Sequence, residues 1–205
     1  NFSDLQDRLG AHYHSSAYRN LEAAIRSGDF ADLGTISRRI FAPPPFKHIY
    51  LPQPNRYPFI TGGQLINRRY TDIRYLSKYG VGDINDYVVH KGWLAIYKSG
   101  QLDSMLGTTF YLSRQLEGYC LSDHVIRVII DQNQINPAYV YAFLSTWAGR
   151  LLVIRRSMGK SVPFVREETV STIPIPILST QVQEQIVPIV QSAFAMRLES
   201  LLLED

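Results

Sequence analysis

The chain has 205 residues, 45% of them hydrophobic, which excludes a disordered polypeptide and allows one domain with a core plus an appendage. Lys and Arg number 21 against 18 acids, a net charge of +3, so the sum points only mildly to an anionic partner. The single cysteine, Cys120, excludes an internal disulfide and argues against a cysteine-based zinc site, as expected in a reducing cytoplasm.

No charged-then-apolar leader opens the chain, and no apolar run reaches the roughly 20 residues of a membrane helix. The first residue is Asn1 rather than Met, which is expected of a piece of something longer. Asn1 to Tyr13 is polar and mixed. His12 and His14 lie two apart with no acidic or cysteine partner to complete a metal site. Tyr18, Leu21 and Ile25 share one face of a predicted helix, with Ser16 as its N-cap and Gly28 as its stop.

Asp32 to Ile40 reads as a short strand or helical turn. Phe41 to Pro58 reads as a loop, because Pro43, Pro44, Pro45, Pro52, Pro54 and Pro58 interrupt any ladder. Tyr57 to Leu65 predicts a strand followed by a glycine turn at Gly62-Gly63. Between Arg38 and Arg114 the bases are Arg38, Arg39, Lys47, Arg56, Arg68, Arg69, Arg74, Lys78, Lys91, Lys98 and Arg114. The acids there are only Asp72, Asp83, Asp86 and Asp103, a field able to steer a polyanion. Within it, Arg68, Arg69, Tyr70, Arg74, Tyr75, Lys78 and Tyr79 interleave charge with rings, which can meet phosphates and stack.

Val88-Val89 and Trp93 to Tyr97 predict a strand pair broken at Gly92, and Lys98-Ser99-Gly100 a polar turn. Phe110 to Leu112 and His124 to Ile130 have the β-branched and aromatic bias of buried strands. Asn136-Pro137 opens a helix with proline at its first position. Its predicted stripe runs Val140, Phe143, Leu144, Trp147, Leu151 and Ile154, closed by Arg155-Arg156 at the dipole's negative end.

Gly159-Lys160-Ser161 is a small cationic turn. Pro163, Pro174 and Pro176 hold Val162 to Ile177 extended, and Ile173-Pro174-Ile175-Pro176-Ile177 suits an edge strand. Thr180 and Gln183 have capping-box spacing for a terminal helix. Its apolar face is wide enough to need a partner helix, and Pro188 is expected to kink it.

Taken in order, Gly159-Lys160-Ser161, Ile173-Pro174-Ile175-Pro176 and Gln183-Glu184-Gln185 resemble the end of a target-recognition domain in the DNA specificity (S) subunits of type I restriction–modification systems. Arg8-Leu9 with Tyr13 and Tyr18, Phe59-Ile60 with Leu65, and Pro137, Tyr139 and Leu144 match further parts of that pattern. So do Gly92, Leu94, Ser99, Gly100 and Gly107, although Trp93 stands where the family carries an acid and the spacing to Gly107 is longer.

The resemblance implies an α+β fold: a mixed, β-rich target-recognition domain with packed helices, then a coiled-coil-type spacer helix. The expected division is a helical lead-in over 1–31, the recognition domain over 32–178 and the spacer from 179 to 205. It further implies sequence-specific duplex DNA binding, in defence against foreign DNA. Methylase subunits and, through them, a restriction subunit would be partners, with a homodimer if the chain is a natural half-subunit. Lys91, Arg114 and Lys160 are expected to contact phosphates and so position the protein, with Ser161 beside them. Arg68, Arg69, Tyr70, Lys98, Ser99, Gln101 and Ser104 are expected to read bases. Ile186, Ile189, Ala193, Leu198 and Leu201 are expected to meet a partner helix. Two rival readings are a protein-interaction module with a basic face and a binder of single-stranded nucleic acid or RNA.

No catalytic residue, cofactor or metal is predicted. Asn136-Pro137-Ala138-Tyr139 nearly spells the Asn-Pro-Pro-Tyr motif of adenine methyltransferases, but Ala138 replaces the second proline and no glycine-rich cofactor loop precedes it. A helix cap explains the same residues. Asp123-His124 is poorly aimed as an acid–base pair, because strand neighbours face opposite sides. Gly159-Lys160-Ser161 lacks the upstream glycine of a phosphate-binding loop.

Overall fold

The computed structural model of the chain describes residues 15–52, 57–67, 70–101, 105–159 and 161–203. Helix α1 (Ser16–Arg26) starts on Ser16 itself; Ser15 takes the N-cap without a side-chain bond, and Ser27 rather than Gly28 ends the helix. Leu21 and Ile25 turn its apolar face onto the main core. Strand β1 (Phe30–Asp32) pairs antiparallel with β10 (Pro174–Pro176), placing Ala31 opposite Ile175. The alternating isoleucines thus sit in a two-stranded ladder, where proline's missing N–H is tolerated, and Ile173 and Ile175 are fully buried.

The central sheet contains β2 (Ser37–Phe41), β6 (Leu94–Tyr97), β7 (Thr109–Tyr111) and β9 (Val125–Ile130) in the order β2-β9-β6-β7, all antiparallel. Both of its faces are covered. Leu94, Ile96, Ile126, Val128 and Ile130 point into a core shared with the helices. Ala95, Phe110 and Val125 point the other way, into a second core with Ile60, Leu65 and Leu121. Period-2 alternation along β6 and β9 therefore separates two apolar layers, not an inside from an outside.

The second sheet, β3-β5-β4-β8, uses β3 (Tyr50–Leu51), β4 (Pro58–Ile60), β5 (Arg74–Leu76) and β8 (Cys120–Leu121). Its β4–β8 pair is parallel, and the rest is antiparallel. The stretch expected to be pure loop therefore carries β3. The expected glycine turn is instead helix α2 (Gly62–Asn67), set by a reciprocal cap: Thr61 N–H donates to Gln64 Oε1 at 3.0 Å and Gln64 N–H to Thr61 Oγ1 at 3.2 Å. Gly62 is needed for closeness: a Cβ there would lie 2.5 Å from the Tyr97 ring. Val88 does not pair with the Trp93–Tyr97 segment; it bridges Cys120, and Val89 N–H donates to Tyr119.

The single helix expected after Asn136 is two: α3 (Pro137–Ser145) and α4 (Trp147–Arg155). Asn136 caps α3 as the sequence predicts, accepting from Ala138 N–H, and Tyr139 hydroxyl donates to Pro176 O at 2.7 Å. Thr146 ends α3 and caps α4, its hydroxyl accepting from Gly149 N–H. A short helix α5 (Glu167–Ser171) follows. Helix α6 (Thr180–Leu203) is one continuous helix with Pro188 inside it. The expected Thr180–Gln183 capping box is absent; Gln183 Nε2 donates to Leu178 O instead.

Candidate nucleic-acid interface

Two sequence-distant turns meet at one end of β6. Lys98 N–H donates to His124 O at 3.0 Å, and Lys98 O accepts Val165 N–H at 2.8 Å. Gly100 N–H reaches Pro163 O at 3.1 Å, while Ser99 and Met158 each bridge Phe164. Gly159, at φ +93°, lets the second turn close where a Cβ would crowd Val162 O at 2.9 Å. The fold thus gathers Lys98, Ser99, Gln101 and Ser161, with Gln101 and Ser161 exposed and Lys98 and Ser99 half-buried. Arg68, Arg69, Ser104 and Lys160 lie outside the described residues.

Lys91 and Arg114 lie toward the opposite end of β6, both exposed. The intervening strand keeps Lys91 and Lys98 at most about 23 Å apart. Gly92, at φ +83°, turns the chain into β6. Glu117 fixes this corner, accepting from Lys91 N–H at 2.6 Å and pairing with His90 Nδ1 at 2.7 Å. Those two hydrogen bonds, the Lys91 N–H first, hold the Glu117 carboxyl below the usual carboxylate range. Lys91 and Arg114 share the wall of a cavity of about 400 Å³ with Gln132, Tyr111, Gln191 and Phe194, so α6 forms its other side. Tyr70 is half-buried against the second core and lines an adjoining recess with Ser113 and Arg197.

The basic field is thinner in space than in sequence. Arg38 pairs with Asp131 at 3.0 Å, and Arg39 pairs with Asp86 at 3.5 Å while lying 3.8 Å from the Phe41 ring centre. Phe41 packs edge-on against Trp93, which meets His90 in turn, so the tryptophan in the family's acidic position completes an aromatic relay.

Several residues with strong structural roles carry no sequence signal. Arg127 is fully buried on β9, and its guanidinium donates to Leu121 O, Ser122 O and Val125 O. Burial lowers its pKa to about 10, leaving it cationic at neutral pH. Glu22 on α1 accepts from Arg26, Arg155 and Arg156, and Arg156 also binds Thr172. Arg155 and Arg156 thus join α1 to α4, beyond closing a dipole. Burial pushes the Cys120 thiol up to about 12, which makes it an inert core residue. Asp123 is buried while its neighbour His124 is exposed. Among the described residues no group of His, Cys, Asp or Glu could hold a metal ion, and no helix is long and apolar enough to cross a membrane.

A mixed α+β domain of two four-stranded sheets and one two-stranded ladder, ending in a long helix, is the class shared with solved restriction–modification proteins. The S subunit of a type I restriction–modification system from M. genitalium superposes with TM-score 0.56 at 15% identity, over 84% of this chain and 40% of that one. The HsdS subunit of Thermoanaerobacter tengcongensis gives 0.56 at 14% identity, over 88% and 44%. The type IIG restriction endonuclease BpuSI gives 0.62 at 11% identity, over 93% and 30%. The type I restriction modification DNA specificity domain model matches residues 28–202, and the chain belongs to that family. No curated protein matches the sequence. The chain spans less than half the length of the S subunits it superposes on.

Proposed function

We propose that this chain reads a short sequence in duplex DNA as the specificity component of a type I-like restriction–modification system. Methylase subunits, and a restriction subunit through them, act on the DNA it selects, and the chain itself carries no catalysis. The observation that carries the reading is the family match over residues 28–202. The pairing of the Lys98–Gln101 turn with the turn around Ser161 supports it, since two loops on one rigid support can follow a groove. Lys91 and Arg114 position phosphates, while Lys98, Ser99 and Gln101 face base edges. Val182, Ile189 and Met196, exposed at seven-residue spacing on α6, present a seam to a partner helix.

Duplexes selected from a random pool, with and without the methylase subunits, supply the target. Affinity for the selected duplex is then measured over a salt series. About five neutralised phosphates give a log–log slope near −4.5. A flat dependence overturns the DNA reading in favour of a protein-interaction module. Tighter binding to the unpaired strand than to its duplex favours the single-strand reading instead.

A further inference from the structure

One end of the second sheet collects cations that the sequence pattern does not bring together. In β3-β5-β4-β8, β3 and β5 are antiparallel, β5 and β4 are antiparallel, and β4 and β8 are parallel. The start of β3, the end of β5 and the start of β8 therefore lie along one edge of the sheet. Lys47 leads into β3, Lys78 and Tyr79 leave β5, and Glu117, holding Lys91, leads into β8.

The first two turns are tied together by backbone. Lys47 N–H donates to Gly80 O at 3.1 Å, and Ser77 N–H donates to Ile49 O at 2.8 Å. The approach is so close that a Cβ on Gly80 would sit 2.1 Å from Lys47 O. Ser77 Oγ accepts from Tyr79 N–H at 3.2 Å and sets the 3-10 turn at Lys78–Gly80. On this braced turn Tyr79 is 82% exposed, with Lys78 Nζ 5.6 Å from its ring centre. A large ring held out by a fixed backbone contributes little to the core and is open to contact from solvent. The nearby carboxylates are engaged: Glu117 by Lys91 and His90, Asp83 by Asn85 N–H, and Asp86 by Arg39.

We infer that Lys47, Lys78 and Tyr79 form, with Lys91, a rim that tracks one phosphodiester strand of the bound duplex. The inference rests on the DNA reading proposed above. Three strand spacings of about 4.8 Å set β3 about 14 Å from β8, long enough to span more than one phosphate of a strand whose phosphates rise about 3.4 Å each along the duplex axis. The lysines supply charge, and the Tyr79 hydroxyl donates a hydrogen bond to a phosphate oxygen. The rim positions the domain on any duplex and reads no base.

The test uses the whole chain with Lys47→Ala, Lys78→Ala and Tyr79→Phe, titrated on a selected and a scrambled fluorescent duplex over a salt series. Each lysine variant should lose about ten-fold in affinity on both duplexes, with the salt slope falling by about 0.9. Tyr79→Phe should weaken both duplexes alike and leave the slope unchanged. Wild-type affinity and slope in all three variants, while Lys98→Ala binds weakly, overturns the rim and leaves the DNA reading standing. A loss confined to the selected duplex overturns the positioning role. Absence of salt-dependent duplex binding by the wild-type chain overturns both.

Discussion

Glu22 shows how one side chain can fix an element. Burial works to raise its pKa, but the Arg156 charge and hydrogen bond, then Arg155 and Arg26, hold the carboxyl below its ordinary value of 4.5. A depressed acid stabilises the fold fully above its unfolded pKa, and that stability is lost as pH falls through the folded value. Glu22→Gln leaves the nearly buried Arg155 and Arg156 without their counter-charge and should cost about 3 kcal/mol near neutral pH. Urea melts of wild type and variant should converge as pH drops below 4.5; a pH-independent gap would show that the carboxylate charge is not what matters. Local chemistry at this scale was legible where it is written within a few residues, as in the Asn136 cap. The Glu22 cluster was not, because its partners lie 133 and 134 positions away.

Among the elements, the corner between α3 and α4 was the chief surprise. The predicted stripe does not continue across the break: Trp147 is exposed, and α4 buries Leu152 and Val153 in the core that takes Val140 and Leu144. The break has a local signature after all: Thr146 three residues before Gly149, a cap followed by a residue able to lie against the preceding helix. A Cβ on Gly149 would stand 2.4 Å from Phe143 O and 2.5 Å from Leu144 Cα. These are backbone atoms with little room to retreat. Gly149→Ala should therefore destabilise by about 1–3 kcal/mol despite alanine's better helix propensity. Chemical denaturation checks this, and an unchanged midpoint would mean that the corner opens freely. Strands β9 and β10 were readable from β-branched runs and from alternating proline. Two-residue β3 was hidden, since so short an edge strand is defined by its partner more than by its own residues.

At the scale of the molecule, composition and motif order gave the family and the fold class, but the candidate interface depends on contacts that no local pattern encodes. The turn at Lys98 meets the turn around Ser161 through long-range backbone bonds, and Arg38 and Arg39 pair with acids from other segments. The same holds for α6, whose broad apolar surface divides into a packed face and an exposed one. Ile186, Val187, Val190 and Phe194 pack inward, and the Phe194 ring lies 5.2 Å from Tyr111 and 5.5 Å from Tyr141. Ile189 and Met196 are 69% and 62% exposed one heptad apart, with Ala193 exposed between them. The side chains of Leu198 and Leu201 lie outside the described residues. Two variants therefore separate the faces. Ile186→Asp places a charge against the domain and should lower the melting temperature, at a cost of about 2–4 kcal/mol. Ile189→Asp with Met196→Asp should leave the melt unchanged and abolish helix-to-helix association, because a heptad seam tolerates no charge at successive positions. Sedimentation of the chain alone and with methylase subunits reads the association, and thermal denaturation reads the fold. Association that survives the double substitution would move the partner surface elsewhere on the molecule, while a wild-type chain that binds neither a second copy nor a methylase subunit would remove the spacer role from α6.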